Sequence, residues 1–225
     1  MDPVTKPSVL MVYFSYTHQT EKVMELMAEV LRDRGCETTL APIEFTDPRY
    51  EKRFKQFPMP KPFLEVVAMI PAELHHRPAQ IGIPDVVTER EYDFVFIGSP
   101  TWWLTTDLPI RSFLESDAAA KVLKGKSFTG AVCCRRYWKH NLKTVRRIGT
   151  KRGGDFVDGV HFRYQGGQVR SLFSLLSFLG SGEYKERYHG VKIPPTNLQD
   201  YHLDEARKFA AALGNELVGA SSTEL

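Results

Sequence analysis

Apolar and polar positions fall into alternating blocks along the chain. Residues 8–15 (SVLMVYFS) form a continuous apolar run rich in β-branched and aromatic residues, the pattern of a strand buried on both faces of a parallel sheet. Over residues 20–34 the period changes to that of a helix. Val23, Met24, Met27, Val30 and Leu31 share one stripe, and Gly35 stands where a helix end takes a left-handed residue. Residues 37–45 (ETTLAPIEF) read as a second strand, weakened by Pro42. Residues 93–98 (DFVFIG), 127–134 (SFTGAVCC) and 155–164 (DFVDGVHFRY) read as a third, fourth and fifth, and helical spacing recurs at about 107–122, 140–152 and 203–218. Strands alternating with helices predict right-handed parallel crossovers and an α/β sheet covered on both faces.

Two segments exceed this minimal repeat. Residues 46–92 hold Pro58, Pro60, Pro62, Pro71, Pro78 and Pro84 and predict an elaborated excursion with a short helix near 63–70. Residues 166–200 hold an apolar stretch at 171–179 (SLFSLLSFL) and a Gly/Pro-rich return. So many apolar residues on one helix predict either a homodimer interface through 171–179 or a roof over a cleft. Tyr184, Tyr188 and His189 follow within reach of such a cleft. No internal repeat or linker tract divides the chain, so 1–225 is expected to form a single domain with insertions at about 46–92 and 166–200.

Composition adds exclusions. The chain is 42% apolar and 25% charged, which rules out collagen-like, low-complexity and disulfide-stapled classes. A formal charge of +3 does not by itself point to nucleic acid. Three cysteines, Cys36, Cys133 and Cys134, form no disulfide framework. The first seven residues lack an apolar signal core, and no run is long enough to span a membrane, so the expectation is a cytoplasmic protein. His75 and His76 do not share a helix face, and no metal site is expected.

Candidate chemistry sits in two turns. Ser15-Tyr16-Thr17-His18-Gln19-Thr20 carries three hydroxyls into a helix N-terminus, whose unpaired N–H groups and dipole favour an anion. The plainer reading is a Thr17 or Thr20 N-cap. Neither GxxxxGK(S/T) nor GxGxxG is present, which argues against a triphosphatase loop and a Rossmann dinucleotide site. Gly98-Ser99-Pro100-Thr101-Trp102-Trp103-Leu104 places two adjacent indoles past the carboxyl end of the third strand, where a planar aromatic ligand would use them. In open α/β sheets ligands bind beyond the carboxyl ends of strands where the strand order reverses, a rule for which flavodoxin with its FMN is a standard example.

At residues 12–20 and 93–103 the sequence resembles the flavodoxin-like superfamily, and more narrowly the FMN-dependent NAD(P)H oxidoreductases and quinone reductases of that fold. The resemblance covers residues 8–36 and 93–160, and leaves out 46–92 and 166–200. It implies a flavodoxin-like, doubly wound, five-stranded parallel sheet of order 2-1-3-4-5, FMN as cofactor, NAD(P)H as co-substrate and a small-molecule electron acceptor. On this resemblance Ser15, Thr17, His18, Gln19 and Thr20 hold the phosphate. Pro100, Thr101, Trp102, Trp103 and Leu104 hold the ring, with Cys134, Arg135, Arg136 and Tyr137 on the family's third flavin loop. The family usually has Gly or Ala where His18 stands, and small residues where the third loop here reads Cys-Cys-Arg-Arg-Tyr-Trp.

Arg135 and Arg136 open a basic stretch that continues through Lys139, Lys143, Arg146, Arg147, Lys151 and Arg152. Its bland reading is a solvated face. At the mouth of the fourth strand a guanidinium would offset negative charge on the reduced flavin edge or bind the NADPH 2′-phosphate. Cys133 and Cys134 alternate across a strand and read as small buried residues rather than nucleophiles. Three functions compete: an FMN-dependent reductase serving a quinone-like or other small conjugated acceptor, a flavodoxin-type electron carrier, and a flavodoxin fold that has lost FMN.

Overall fold

The computed structural model describes residues 6–75 and 78–221. His76 and the first five residues, both read above from sequence, lie outside the described residues. Five parallel strands, β1 (Ser8–Tyr13), β2 (Glu37–Pro42), β3 (Phe94–Trp102), β4 (Ser127–Cys134) and β5 (Asp155–Arg163), stand in the order β2-β1-β3-β4-β5. This is the expected doubly wound, flavodoxin-like order. A two-residue strand, Thr105–Thr106, folds back antiparallel on the tip of β3. The helices are α1 (Gln19–Asp33), α2 (Pro62–Ala68), α3 (Leu108–Leu114), α4 (Asp117–Leu123), α5 (Trp138–Lys151), α6 (Gln168–Ser181) and α7 (Asp200–Ser221), with four-to-six-residue turns of helix at Glu51–Phe54, Ile70–His75 and Val86–Glu89.

The strict alternation of strand side chains divides the apolar residues between two cores. Val9, Met11 and Tyr13 of β1 pack with Val23, Met24, Met27 and Leu31 of α1 and Ala206, Ala210 and Leu213 of α7. Leu10 and Val12 pack on the other face with Ile110, Phe113, Val122, Val145 and Ile148 of α3, α4 and α5. Each fully buried Leu, Ile, Met or Phe contributes about 1.5–3 kcal/mol, so the two layers hold the sheet from both sides. Gly98 lets α1 approach: a Cβ there would lie 2.8 Å from both the Met24 sulfur and the Tyr13 Cβ. Among the described residues no helix is long and apolar enough to cross a membrane.

Three boundaries differ from the sequence reading, each for a local reason. The strand expected at 93–98 continues through Trp102, and the turn is made by Trp103, at φ 52°, and Leu104. Pro100 is tolerated because β1 ends opposite Gly98, leaving β3 one parallel neighbour beyond that point. The helix expected at 107–122 breaks in two because Ser116 caps a new start, its Oγ accepting from Ala119 N at 3.2 Å. The strand expected at 37–45 is split after Pro42, and Glu44–Phe45 pairs instead with Ile81–Gly82.

That pairing and one carboxylate tie the neck of the 46–92 excursion. Asp47, 1% exposed, accepts from Arg49 N, Nε and a terminal nitrogen and from Gln80 N. The Arg49 guanidinium holds it well below the usual carboxylate range. The excursion then meets α6. Met59 N donates to Leu179 O at 2.6 Å, the Phe57 and Phe178 rings lie 5.3 Å apart, and a Cβ on Gly180 would sit 3.0 Å from Pro62. The apolar stretch 171–179 is spent inside the chain: Leu176, Phe178 and Leu179 are buried, and Leu172, Phe173 and Leu175 half-buried. Of its two expected uses, the roof is the one this packing supports.

Candidate functional site

A cavity opens beyond the carboxyl ends of β1, β3 and β4, where the strand order reverses. Ser15, Thr17 and Thr20 line it from the first turn, Pro100, Thr101, Trp102 and Trp103 from β3, and Cys134, Arg135, Arg136 and Tyr137 from the end of β4. Residues more than eighty positions apart in sequence therefore converge on one space. His18, Gln19 and Leu104 do not line it. Gln19 Oε1 accepts from Leu198 N at 2.9 Å, tying α1 to the segment before α7, and Leu104 is exposed.

The first turn differs from a simple Thr cap. The residue before α1 is His18, held left-handed at φ 58° and making no side-chain cap. The cap comes from Ser15, whose Oγ accepts from Glu21 N at 3.1 Å. A left-handed position suits Gly, which is the physical sense of the small residue usual there, and His occupies it at a modest strain cost. His18 Nδ1 lies 2.6 Å from Glu21 Oε2 on the surface. Among the described residues the amides of Gln19 and Thr20 have no acceptor. The Thr20 amide and the Thr17 and Thr20 hydroxyls form a donor set on the cavity suited to a phosphate at the start of a fifteen-residue helix.

The two indoles have different surroundings. Trp102 stacks on Phe54 at 4.8 Å and 16° and meets Phe14 and Phe45 edge-on. It is a wall fixed by three rings. Trp103 is 39% exposed and donates from Nε1 to Val66 O at 3.2 Å. On the third loop, burial pushes both the Cys133 and Cys134 thiols up to about 12, so neither supplies a thiolate at neutral pH. Arg135 donates to Gln168 O and Ser171 Oγ at 2.8 and 2.9 Å, fastening the start of α6 to the site. Among the described residues the Arg136 guanidinium has no partner. Flat aromatic walls, a phosphate-type donor set and a cation at one edge fit the chemistry of FMN.

Sequence reading missed a buried network beneath the β3 tip. Asn141, fully buried on α5, donates to Ser99 Oγ, Pro100 O and Thr101 Oγ1 and accepts from Thr106 Oγ1. Ser99 Oγ also donates to Asp107 Oδ2 at 2.8 Å, and Asp107 Oδ1 caps α3 by accepting from Ile110 N. The signal was present: Asn141 stands on the same stripe as Val145 and Ile148, a polar residue at a core position. Burial pushes Asp107 up to about 7, and pushes Glu73, with the nearby Asp107 charge assisting, up to about 9. Of the upper wall, the roof from 171–179 was one of the two expected uses of that stretch, and the part from the proline-rich excursion was missed. Phe54, Met59, Glu65, Val66 and Met69 come from one extra segment and Leu172, Leu175 and Leu179 from the other. Tyr184 stacks on Phe178 behind this wall, and neither it nor Tyr188 nor His189 lines the cavity.

Comparison with known proteins bears on this arrangement. No curated protein matches the chain. Among solved structures, it is similar to a flavoprotein in complex with FMN from Lactobacillus acidophilus NCFM, at 16% identity over 70% of this chain and 93% of that one, with a TM-score of 0.48. It is also similar to oxidised flavodoxin 1 from Bacillus cereus, at 16% identity over 91% and 95% with a TM-score of 0.47. A third is the two-electron reduced flavodoxin of Megasphaera elsdenii, at 16% over 68% and 84% with a TM-score of 0.43. The sequence model described as Flavodoxin matches residues 8–160, which takes in β1 through most of β5 and the turns that line the cavity. With that match over most of its length and the strands in the order β2-β1-β3-β4-β5, the chain belongs to the flavodoxin family.

Proposed function

We propose that the protein binds FMN and works as an oxidoreductase, taking hydride from NAD(P)H and passing electrons to a small conjugated acceptor. The observation that carries this reading is the closure of two extra segments over the cavity, joined by Met59 N to Leu179 O. An electron carrier needs an edge of its flavin open to a partner protein, whereas this roof leaves room for small molecules. Bound FMN would supply the redox chemistry. The chain's part is to hold and surround it. The amide of Thr20 and the hydroxyls of Ser15, Thr17 and Thr20 hold the phosphate. Pro100, Thr101, Trp102, Trp103 and Tyr137 enclose the ring, and Arg136 offsets negative charge at its edge. Cys134 fills space beside it. No side chain here need act as a general acid or base.

The test is the visible spectrum of the purified protein followed by anaerobic mixing with NADH and NADPH. The expected result is a yellow protein that one nicotinamide bleaches. A yellow protein bleached by neither is a carrier. A colourless protein that refuses added FMN is a fold that has lost it. Within the site, Trp102→Ala is expected to weaken FMN binding by tenfold or more and Trp103→Ala by less, because only Trp102 is held in place by rings on three sides. Flavin fluorescence titration measures both, and equal losses would refute the assignment.

A further inference from the structure

The side of the cavity away from the sheet is built almost wholly of carbon. Leu172, Leu175 and Leu179, three and four residues apart on α6, turn one helical face inward beside Met59, Val66 and Met69. Charged groups near this wall are already engaged. Glu65 pairs with Arg53 Nε at 2.8 Å, and Arg135 is bound to Gln168 O and Ser171 Oγ. Arg136, without a partner among the described residues, lines the cavity from the end of β4 and is the cation assigned above to the flavin edge. A charged molecule pressed against these leucines would lose its water and gain no hydrogen bond from them, whereas a flat apolar one would bury carbon against carbon.

Building on the oxidoreductase reading, we propose that the acceptor is a flat, uncharged, apolar molecule that docks against the underside of α6, and that Leu172, Leu175 and Leu179 set its size and polarity. The roof is anchored at both ends of α6, by Arg135 at the start and by Leu179 O near the finish, so its underside is a fixed surface. In the transfer, two electrons leave the reduced flavin and two electrons with two protons enter the acceptor, one proton from the flavin and one from solvent.

A matched pair of probes tests this: an unsubstituted naphthoquinone and a naphthoquinone sulfonate of the same ring. Holoprotein reduced by a nicotinamide is mixed anaerobically with each, and the same pair is run against free reduced FMN to divide out intrinsic reactivity. After that correction the uncharged probe is expected to reoxidise the protein at least tenfold faster. Leu175→Lys, at a half-buried position, is expected to shrink that ratio by tenfold or more. The same probes titrated against the oxidised protein give a readout free of turnover: saturable quenching of tryptophan fluorescence by the uncharged probe and none by the sulfonate. Equal corrected rates, or tighter binding of the sulfonate, would overturn the proposal. Should neither nicotinamide reduce the flavin, the oxidoreductase reading fails, and the binding titration still decides the chemistry of the chamber.

Discussion

Replacing Asn141 with leucine is expected to lower stability by about 3 kcal/mol and to strip the protein of FMN on gel filtration. Leucine fills nearly the same volume, so the loss is not one of packing. Asn141 donates to Ser99 Oγ, Pro100 O and Thr101 Oγ1 in a fully buried place, and removing it leaves Pro100 O to compete with Asp107 for the single Ser99 hydroxyl proton. Thr106 keeps a bond to Asn141 O, and Ser99 keeps Asp107, which holds the cost below the sum of the lost bonds. Each orphaned buried group costs about 1–3 kcal/mol. The effect reaches the site because the released residues, Pro100 and Thr101, lead directly into Trp102. Urea unfolding of the apoprotein separates the two consequences. A loss under about 1 kcal/mol would show that the β3 tip holds its shape without the Asn141 amide.

The centre of the sheet was legible because β1, β3 and β4 are buried on both faces and so appear as apolar runs, while the edge strands β2 and β5 show mixed patterns, with α1 announced by a clean stripe from Val23 to Leu31. The cavity's lower half was legible for the same topological reason: turns after β1, β3 and β4 must share one sheet edge. What escaped was long-range. Nothing local in Met59 or Leu179 says that two insertions more than a hundred residues apart exchange a backbone hydrogen bond. Nor could sequence distinguish the two indoles, since Phe54, which fixes Trp102, lies in the proline-rich excursion. His18 and Gln19 fell within the correct turn but face elsewhere, because a left-handed residue at 18 redirects the chain just before α1 begins.

Raising the pH from about 6.5 to 9 is expected to lower stability by roughly 2–4 kcal/mol, through Glu73 and the upper end of the Asp107 titration. Burial drives Glu73 up to about 9 and Asp107 up to about 7, against ordinary values near 4. A carboxyl whose folded pKa is raised keeps its proton in the folded protein while the unfolded chain has released it. Stability is then greatest at low pH and falls until the folded pKa is passed. His161 and His202, lowered by burial, act in the opposite direction but below about 6.5. Asp47, lowered by Arg49, acts only in acid. The thiols of Cys36, Cys133 and Cys134, all raised by burial, add to the loss in the same direction at the top of the window, where the unfolded thiols begin to ionise. Arg111 is the nearby cation, shared with Glu115 at 3.3 Å and opposed by Arg147, so it offsets only part of a Glu73 charge. Glu73→Gln is therefore expected to match the parent only near pH 4, where folded and unfolded parent both hold the proton, and to exceed its stability by a margin that widens from pH 6.5 to 9, flattening the curve. Because Glu73 stands in the helix that follows Met69, its ionisation also loosens the roof, and FMN should be released more readily at pH 9 from the parent than from Glu73→Gln. A parent whose urea midpoint is the same at both ends of this range would mean that Glu73 is already ionised when folded.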